Sequence, residues 1–266
     1  MEFLGVTGIG IIGRSGLRGN FMAAKKKKKK STRKKKSTKK AIRRTTKATK
    51  NIPPNVDIIE QPKLPRPTEG FLIGNGESRI GFNLNELKGK NGPIVGCNAL
   101  YRDFEPDVLC ALDQNVITEI QNSGYKGIVA KFNKSHTSVI CDNVLLENLV
   151  VPRGKGVAWY TGIFAAWFMC TMAPKMKWKI NRVFMLGFDL YDAKTNNIYK
   201  GTLNYEKMGI NNKIQFQNFK NLVFDKFPDI TFLRVVENPD KSPLPDEWIF
   251  IDNIRNISYT DFKEYL

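Results

Sequence analysis

The chain has 266 residues, 41% of them hydrophobic, and its 43 basic and 25 acidic side chains leave a formal charge of +18. Sixteen of the basic residues and none of the acidic ones fall within residues 23–50, so residues 51–266 carry 25 basic against 24 acidic side chains. That excludes a globular domain with a pervasive basic surface: the charge belongs to an arm, and the near-neutral remainder is long enough to bury a full core as one domain.

Residues 1–50 read as a disordered, polybasic tail. The apolar stretch at 3–13 (FLGVTGIGIIG) follows Glu2 rather than a basic region and precedes no small-residue cleavage site, so it does not read as a signal peptide. Met22 followed by two alanines would make a natural initiator, which leaves 1–21 as an over-extended start. In residues 25–50 like charges repel and nothing apolar is available for burial. Such a segment is either a solvated tail or an arm for nucleic acid or another polyanion, binding phosphates with salt-sensitive affinity and no sequence readout. Residues 51–68 contain five prolines and read as an extended linker to a folded domain at 69–266.

Within that domain short apolar runs alternate with helical patterns. Strands are expected at 70–76, 94–98, 108–113, 127–132, 144–151, 181–190 and 230–235, and helices at 114–123, 158–173 and 215–227. Residues 157–173 are uncharged, but Thr161, Gly162 and Thr171 within them and Pro174 just after favour a buried helix over a transmembrane segment. Strands separated by helices imply an α/β fold: a mostly parallel, Rossmann-like sheet with helices on both faces. The four cysteines (97, 110, 141 and 170) form no CxxC pair, and His136 is the sole histidine. Zinc and disulfide frameworks are therefore disfavoured, which points to a reduced, cytoplasmic setting.

Ligands of such sheets sit at the carboxyl ends of the strands, where the strand order reverses, and three strand ends carry suggestive residues. Gly74-Asn75-Gly76-Glu77-Ser78 offers backbone N–H groups to an anion, with Ser78 able to cap a following helix, although a glycine turn also serves packing alone. Asn98 ends the second strand and carries both a donor and an acceptor, suited to a base edge or a ribose. Asp113 ends the third and could hold a metal, orient a hydroxyl or simply cap the helix beginning at Gln114. Thr161-Gly162 opens the apolar helix, where unsatisfied N–H groups meet a hydroxyl. The next strand ends in Gly187-Phe188-Asp189-Leu190-Tyr191-Asp192, and the long polar loop 192–205, with Tyr199, has the character of a lid.

These motifs, GNGES, GCNALYRDF, Thr-Gly at a helix start and GFDLY, resemble in order those of the bacterial sialyltransferases of glycosyltransferase family 42. The same skeleton is similar to the MptE-like 6-hydroxymethylpterin pyrophosphokinases, compared through Pro106-Asp107 and Asp113. The first resemblance covers roughly residues 70–236. It implies that Gly74, Asn75, Gly76, Asn98, Thr161 and Gly162 bind a nucleotide and that Tyr191 donates to the leaving phosphate. Glu77 stands where the family has proline, and His136 precedes the strand that the family's general-base histidine follows. Deprotonation of an acceptor hydroxyl would then fall to Asp113, Asp189 or Asp192.

Three functions follow as expectations. The first is a glycosyltransferase using a nucleotide sugar as donor, most similar to a CMP-linked one, with Asp113, Asp189 and Tyr191 catalytic. The second is a pyrophosphokinase-like transfer from ATP and Mg2+, with Asp113 and Asp189 as metal ligands. The third is a non-catalytic nucleotide- or nucleic-acid-binding accessory protein. Richness in Lys, Asn and Ile, with the compact basic arm, would fit a viral or phage protein.

Overall fold

The structure, a computed structural model, describes residues 68–266 apart from 142–148, 177, 191–196 and 206–211. The basic arm, the linker up to residue 67, and Tyr191 and Asp192 therefore lie outside the described residues. Eight strands form one sheet: β1 (Thr68–Ile73), β2 (Ile94–Cys97), β3 (Val108–Cys110), β4 (Val129–Phe132), β5 (Val139–Cys141), β6 (Ile180–Leu186), β7 (Thr231–Val236) and β8 (Ile254–Ser258). Their order is β5-β4-β3-β2-β1-β6-β7-β8, with every neighbouring pair parallel except β4–β5. The chain winds outward from β1 through β2, β3 and β4, then returns to lay β6 on the other side of β1. The β1–β6 boundary is thus the switch point of a mostly parallel, Rossmann-like α/β fold.

Both faces of the sheet are buried, which is why its central strands read as continuous apolar runs. Leu72, Val183, Met185 and Phe232 enter one core with helix α2 (Thr161–Met172), while Phe71, Ile73, Phe184, Leu186 and Leu233 enter the other with α1 (Gln114–Asn122). Asp113 starts α1 by accepting the Asn115 and Val116 N–H groups, and Val116, Ile117 and Ile120 form its buried stripe. Helix α2 is apolar on every side because sheet and helix both enclose it: Ile163 through Cys170 are all buried. Helix α3 (Asn212–Phe219) packs beside it and widens into a π-helical turn at Lys220–Phe224. Among the described residues no helix is long and apolar enough to cross a membrane.

Two expectations need correcting. The fifth strand is Val139–Cys141 and antiparallel; of the strand expected at 144–151, residues 144–148 lie outside the described residues. The polar run before it is a hairpin turn in which the Asn133 carboxamide oxygen accepts from Thr137 N (2.7 Å) and Ser138 N (3.3 Å). Residues 149–151 run alongside β5 through Val139 N–Leu149 O and Val151 N–Thr137 O. At the other end the sheet does not close at 230–235, because β8 follows and leads into α4 (Tyr259–Lys263). Ser258 and Asp261 form a capping box there, and Phe262 buries its ring against Phe71 and Phe184.

Candidate functional site

The strand ends meet at the switch point. β1 leaves the sheet as Gly74-Asn75-Gly76 and β6 leaves it as Gly187-Phe188-Asp189, and the two backbones cross in contact. Gly74 N donates to Leu186 O (2.8 Å) and Gly76 N to Gly187 O (2.9 Å). A Cβ on Gly74 would strike Gly187 O, and one on Gly76 would strike the Asp189 carboxylate. Gly187 itself has φ +71 and lies 2.8 Å, measured from its own would-be Cβ, from Gly74 O. The glycines of the GNG loop therefore serve this crossing. Contrary to the expectation of an anion cradle, the N–H groups of Gly74 and Gly76 are already taken.

Ser78 also takes a different part. It lies within a three-residue turn (Glu77–Arg79) rather than capping a helix, and both its N–H (3.0 Å) and its hydroxyl donate to Asp189. Asp189 thereby occupies the donors of that turn, and it is a bonded structural acceptor rather than a free base or metal ligand. Asp113 caps α1, is exposed and does not line the cleft. Among the described residues no three His, Cys, Asp or Glu side chains converge as metal ligands. The donor set for Mg2+ expected from Asp113 and Asp189 does not fit.

What converges is a set of carboxamides. A cleft of about 120 Å³ is walled by Asn75, Asn98, Gly162, Asp189, Tyr205 and Gln215, among others. The side-chain oxygens of Asn75, Asn98 and Gln215 are buried within it without a hydrogen-bond partner. Buried polar atoms are nearly always paired, because each orphan costs roughly 1–3 kcal/mol. Three around one cleft are acceptors that a hydrogen-bond donor entering it would satisfy. Asn98 is also held at φ +51, a costly conformation for a side-chain-bearing residue and one that clusters at ligand sites. Gly162 presents the first turn of α2, where Phe164 N is bonded to Tyr160 O, so the N–H groups ahead of it lack intrahelical acceptors. Thr161 forms no side-chain cap and does not line the cleft.

The described part of the 192–205 loop packs over the β1 end instead of standing away from it. Ile198 N donates to Asn75 O (2.9 Å), and Asn75 Nδ2 donates to the Tyr205 hydroxyl (3.4 Å). Tyr199 lies behind the cleft, donating to Asp103 and accepting from the buried Arg79 (3.0 Å), whose Nε also holds Gly74 O (2.9 Å). Burial pushes the Tyr199 and Tyr205 phenols well above their ordinary range, so both remain neutral hydrogen-bonding groups. Cys97, also on the cleft wall, is raised by burial to about 12 and is no thiolate nucleophile at neutral pH. Gln215, Tyr205 and Asn197 were not singled out from the sequence as site residues. Gln215 begins an ordinary-looking helix pattern, and no motif marks it.

No protein-family model, curated protein or solved structure matches the chain.

Proposed function

We propose that the protein is a transferase acting on a nucleotide-activated donor, a CMP-linked sugar by the sialyltransferase resemblance, with the nucleoside in the cleft at the switch point. The observation that carries this reading is the trio of unpartnered carboxamide oxygens of Asn75, Asn98 and Gln215. Ribose hydroxyls and the exocyclic amine of cytosine are the donors that would satisfy them. The phosphate would then lie toward the first turn of α2 at Gly162, whose N–H dipoles favour negative charge. In the transfer, the bond between the sugar's anomeric carbon and the phosphate oxygen breaks, and the nucleotide leaves with the electron pair. The acceptor's hydroxyl oxygen bonds to that carbon and its proton passes to solvent. Helix N–H groups stabilise the leaving oxyanion as its charge develops.

Thermal unfolding with CMP, UDP, GDP and ATP, each with and without Mg2+, tests the reading. CMP at a hundredfold excess over its Kd should raise Tm by roughly 5–10 °C independently of the metal. Stabilisation by ATP alone, and only with Mg2+, would replace it by the pyrophosphokinase reading. Stabilisation by none would remove nucleotide binding.

The basic run at 25–50 adds a polyanion-binding arm to this proposal. DNA binding by the full chain should weaken steeply with salt and disappear when residues 1–68 are removed.

A further inference from the structure

A second cavity, of about 410 Å³, is walled by Leu112, Phe132, His136, Arg153, Val157 and Trp159, among others. It shares a wall-building segment with the first, because the stretch that supplies Val157 and Trp159 runs straight into Gly162 at the start of α2. Leu112 and Phe132 place it at the carboxyl ends of β3 and β4, the end of the sheet where the first cleft also opens.

Its chemistry is unlike that of the first cleft. Trp159 and Phe132 meet edge to face at 5.6 Å, and the His136 ring stands 5.8 Å from Phe132. The Trp159 indole N–H is spent on Pro152 O (3.2 Å), which fixes the ring. Arg153 is anchored by Nε to His136 O (2.9 Å) and by Nη2 to Ser135 O, leaving Nη1 as a positioned cationic donor. Among the described lining residues Arg153 is the sole arginine or lysine, and none is acidic.

We infer that this cavity is the acceptor site: it takes a saccharide ring, whose C–H face packs on the Trp159–Phe132 aromatics, bearing a carboxylate or phosphate that Arg153 binds. Aromatic walls supply apolar contact at low entropic cost, and a guanidinium fixed by two backbone carbonyls is preorganised for an anion. This rests on the transferase reading, which requires an acceptor beside the donor cleft, yet the two can fail separately.

Tryptophan fluorescence of the full chain should be titrated with glucose 6-phosphate and glucuronic acid, against glucose and sodium phosphate as controls, and Tm measured with CMP in parallel. The acidic sugars should quench saturably and either control only weakly. Arg153→Gln should weaken that binding roughly tenfold, the order expected for one charge-assisted hydrogen bond. Trp159→Ala, which lacks the reporting indole and is therefore followed by calorimetry, should abolish it. Because Trp159 also packs on Trp167 and Phe164, Val157→Phe, which fills the cavity from its rim, serves as the second variant and should abolish binding too. The CMP shift should persist in all three. Phosphate binding as well as the acidic sugars do would overturn the saccharide assignment, as would a CMP shift with no sugar binding. Sugar binding lost in the variants, without any CMP shift, would keep this site and remove the donor reading. A single-stranded oligonucleotide that binds in place of the sugars, and is lost in Trp159→Ala, would overturn the inference in favour of a base-stacking surface.

Discussion

Asp189, at the end of β6, holds Ser78, just beyond β1, by two hydrogen bonds, so that one carboxylate ties together the two parallel strands at which the strand order reverses. The buried Arg234 completes the arrangement. Its Nε donates to Phe188 O (2.7 Å) and its Nη1 to Ser242 O (3.0 Å), and Asp189 is the carboxylate whose field it feels. Burial lowers its pKa to about 10, which still leaves it charged at neutral pH. Asp189→Ala should therefore destabilise the fold by about 2–3 kcal/mol, since it orphans the Ser78 N–H and leaves the arginine less compensated. Chemical denaturation measures it. A variant as stable as the parent but catalytically dead would show that Asp189 acts on substrate instead.

The carboxamides predict the opposite trade. Gln215→Met removes a buried, unpartnered acceptor at nearly constant volume and should stabilise the apo protein by about 1 kcal/mol. Asn98→Gly relieves the positive φ of 51 and should gain a few tenths to 1 kcal/mol. Both should weaken CMP binding at least tenfold. Calorimetry on the apo and CMP-bound variants reads both quantities, and a stability loss without a binding loss would count against the site.

Asp113 is the control. Its Oδ1 accepts Asn115 N at 2.8 Å and Val116 N at 3.3 Å, and it stands outside the cleft. Asp113→Ala should cost about 1 kcal/mol through loss of the helix cap and leave nucleotide binding and turnover unchanged. Lost turnover with full folding would restore it as a catalytic group.

Glu119 on α1 links the sheet to the loop over the cleft, accepting from Tyr101 (2.5 Å), Arg102 (2.8 Å) and Asn204 (2.7 Å). Burial opposes its ionisation, but those donors and the Arg102 charge outweigh burial and hold its pKa below the ordinary 4.5. A carboxyl depressed on folding contributes stability that is present above its unfolded pKa and lost as pH falls through its folded one. Acid unfolding should thus steepen below pH 4.5, and Glu119→Gln should flatten that part of the stability curve when denaturation midpoints are followed against pH. An unchanged slope would mean that the cluster does not secure the loop.

How much of this was legible follows from the range over which each feature is determined. The strands at 70–76, 94–98 and 108–113, the helix at 114–123 and the buried helix around 161–172 were visible because apolar spacing, glycine turns and an aspartate cap act within a few residues. The Ser258-x-x-Asp261 capping box that opens α4 was equally local and was passed over. The three-residue strand β5 was missed because so short a run carries no periodicity of its own, and only pairing with β4 and residues 149–151 makes it a strand.

The site divides along the same line. That Asn75, Asn98 and Gly162 share a cleft followed from strand ends and helix starts, whose place in a parallel sheet is set by topology. By itself the amino-acid order determined the alternation of elements, the buried helix and the segregation of charge into the first fifty residues, since propensity, hydrophobic period and like-charge repulsion are properties of neighbours along the chain. Only the tertiary structure decided that the GNG amides are spent on β6, that Asp189 answers Ser78 across 111 positions, and that Gln215 completes the carboxamide trio. Whether a polar group is satisfied or left waiting depends on which distant segment folding brings against it.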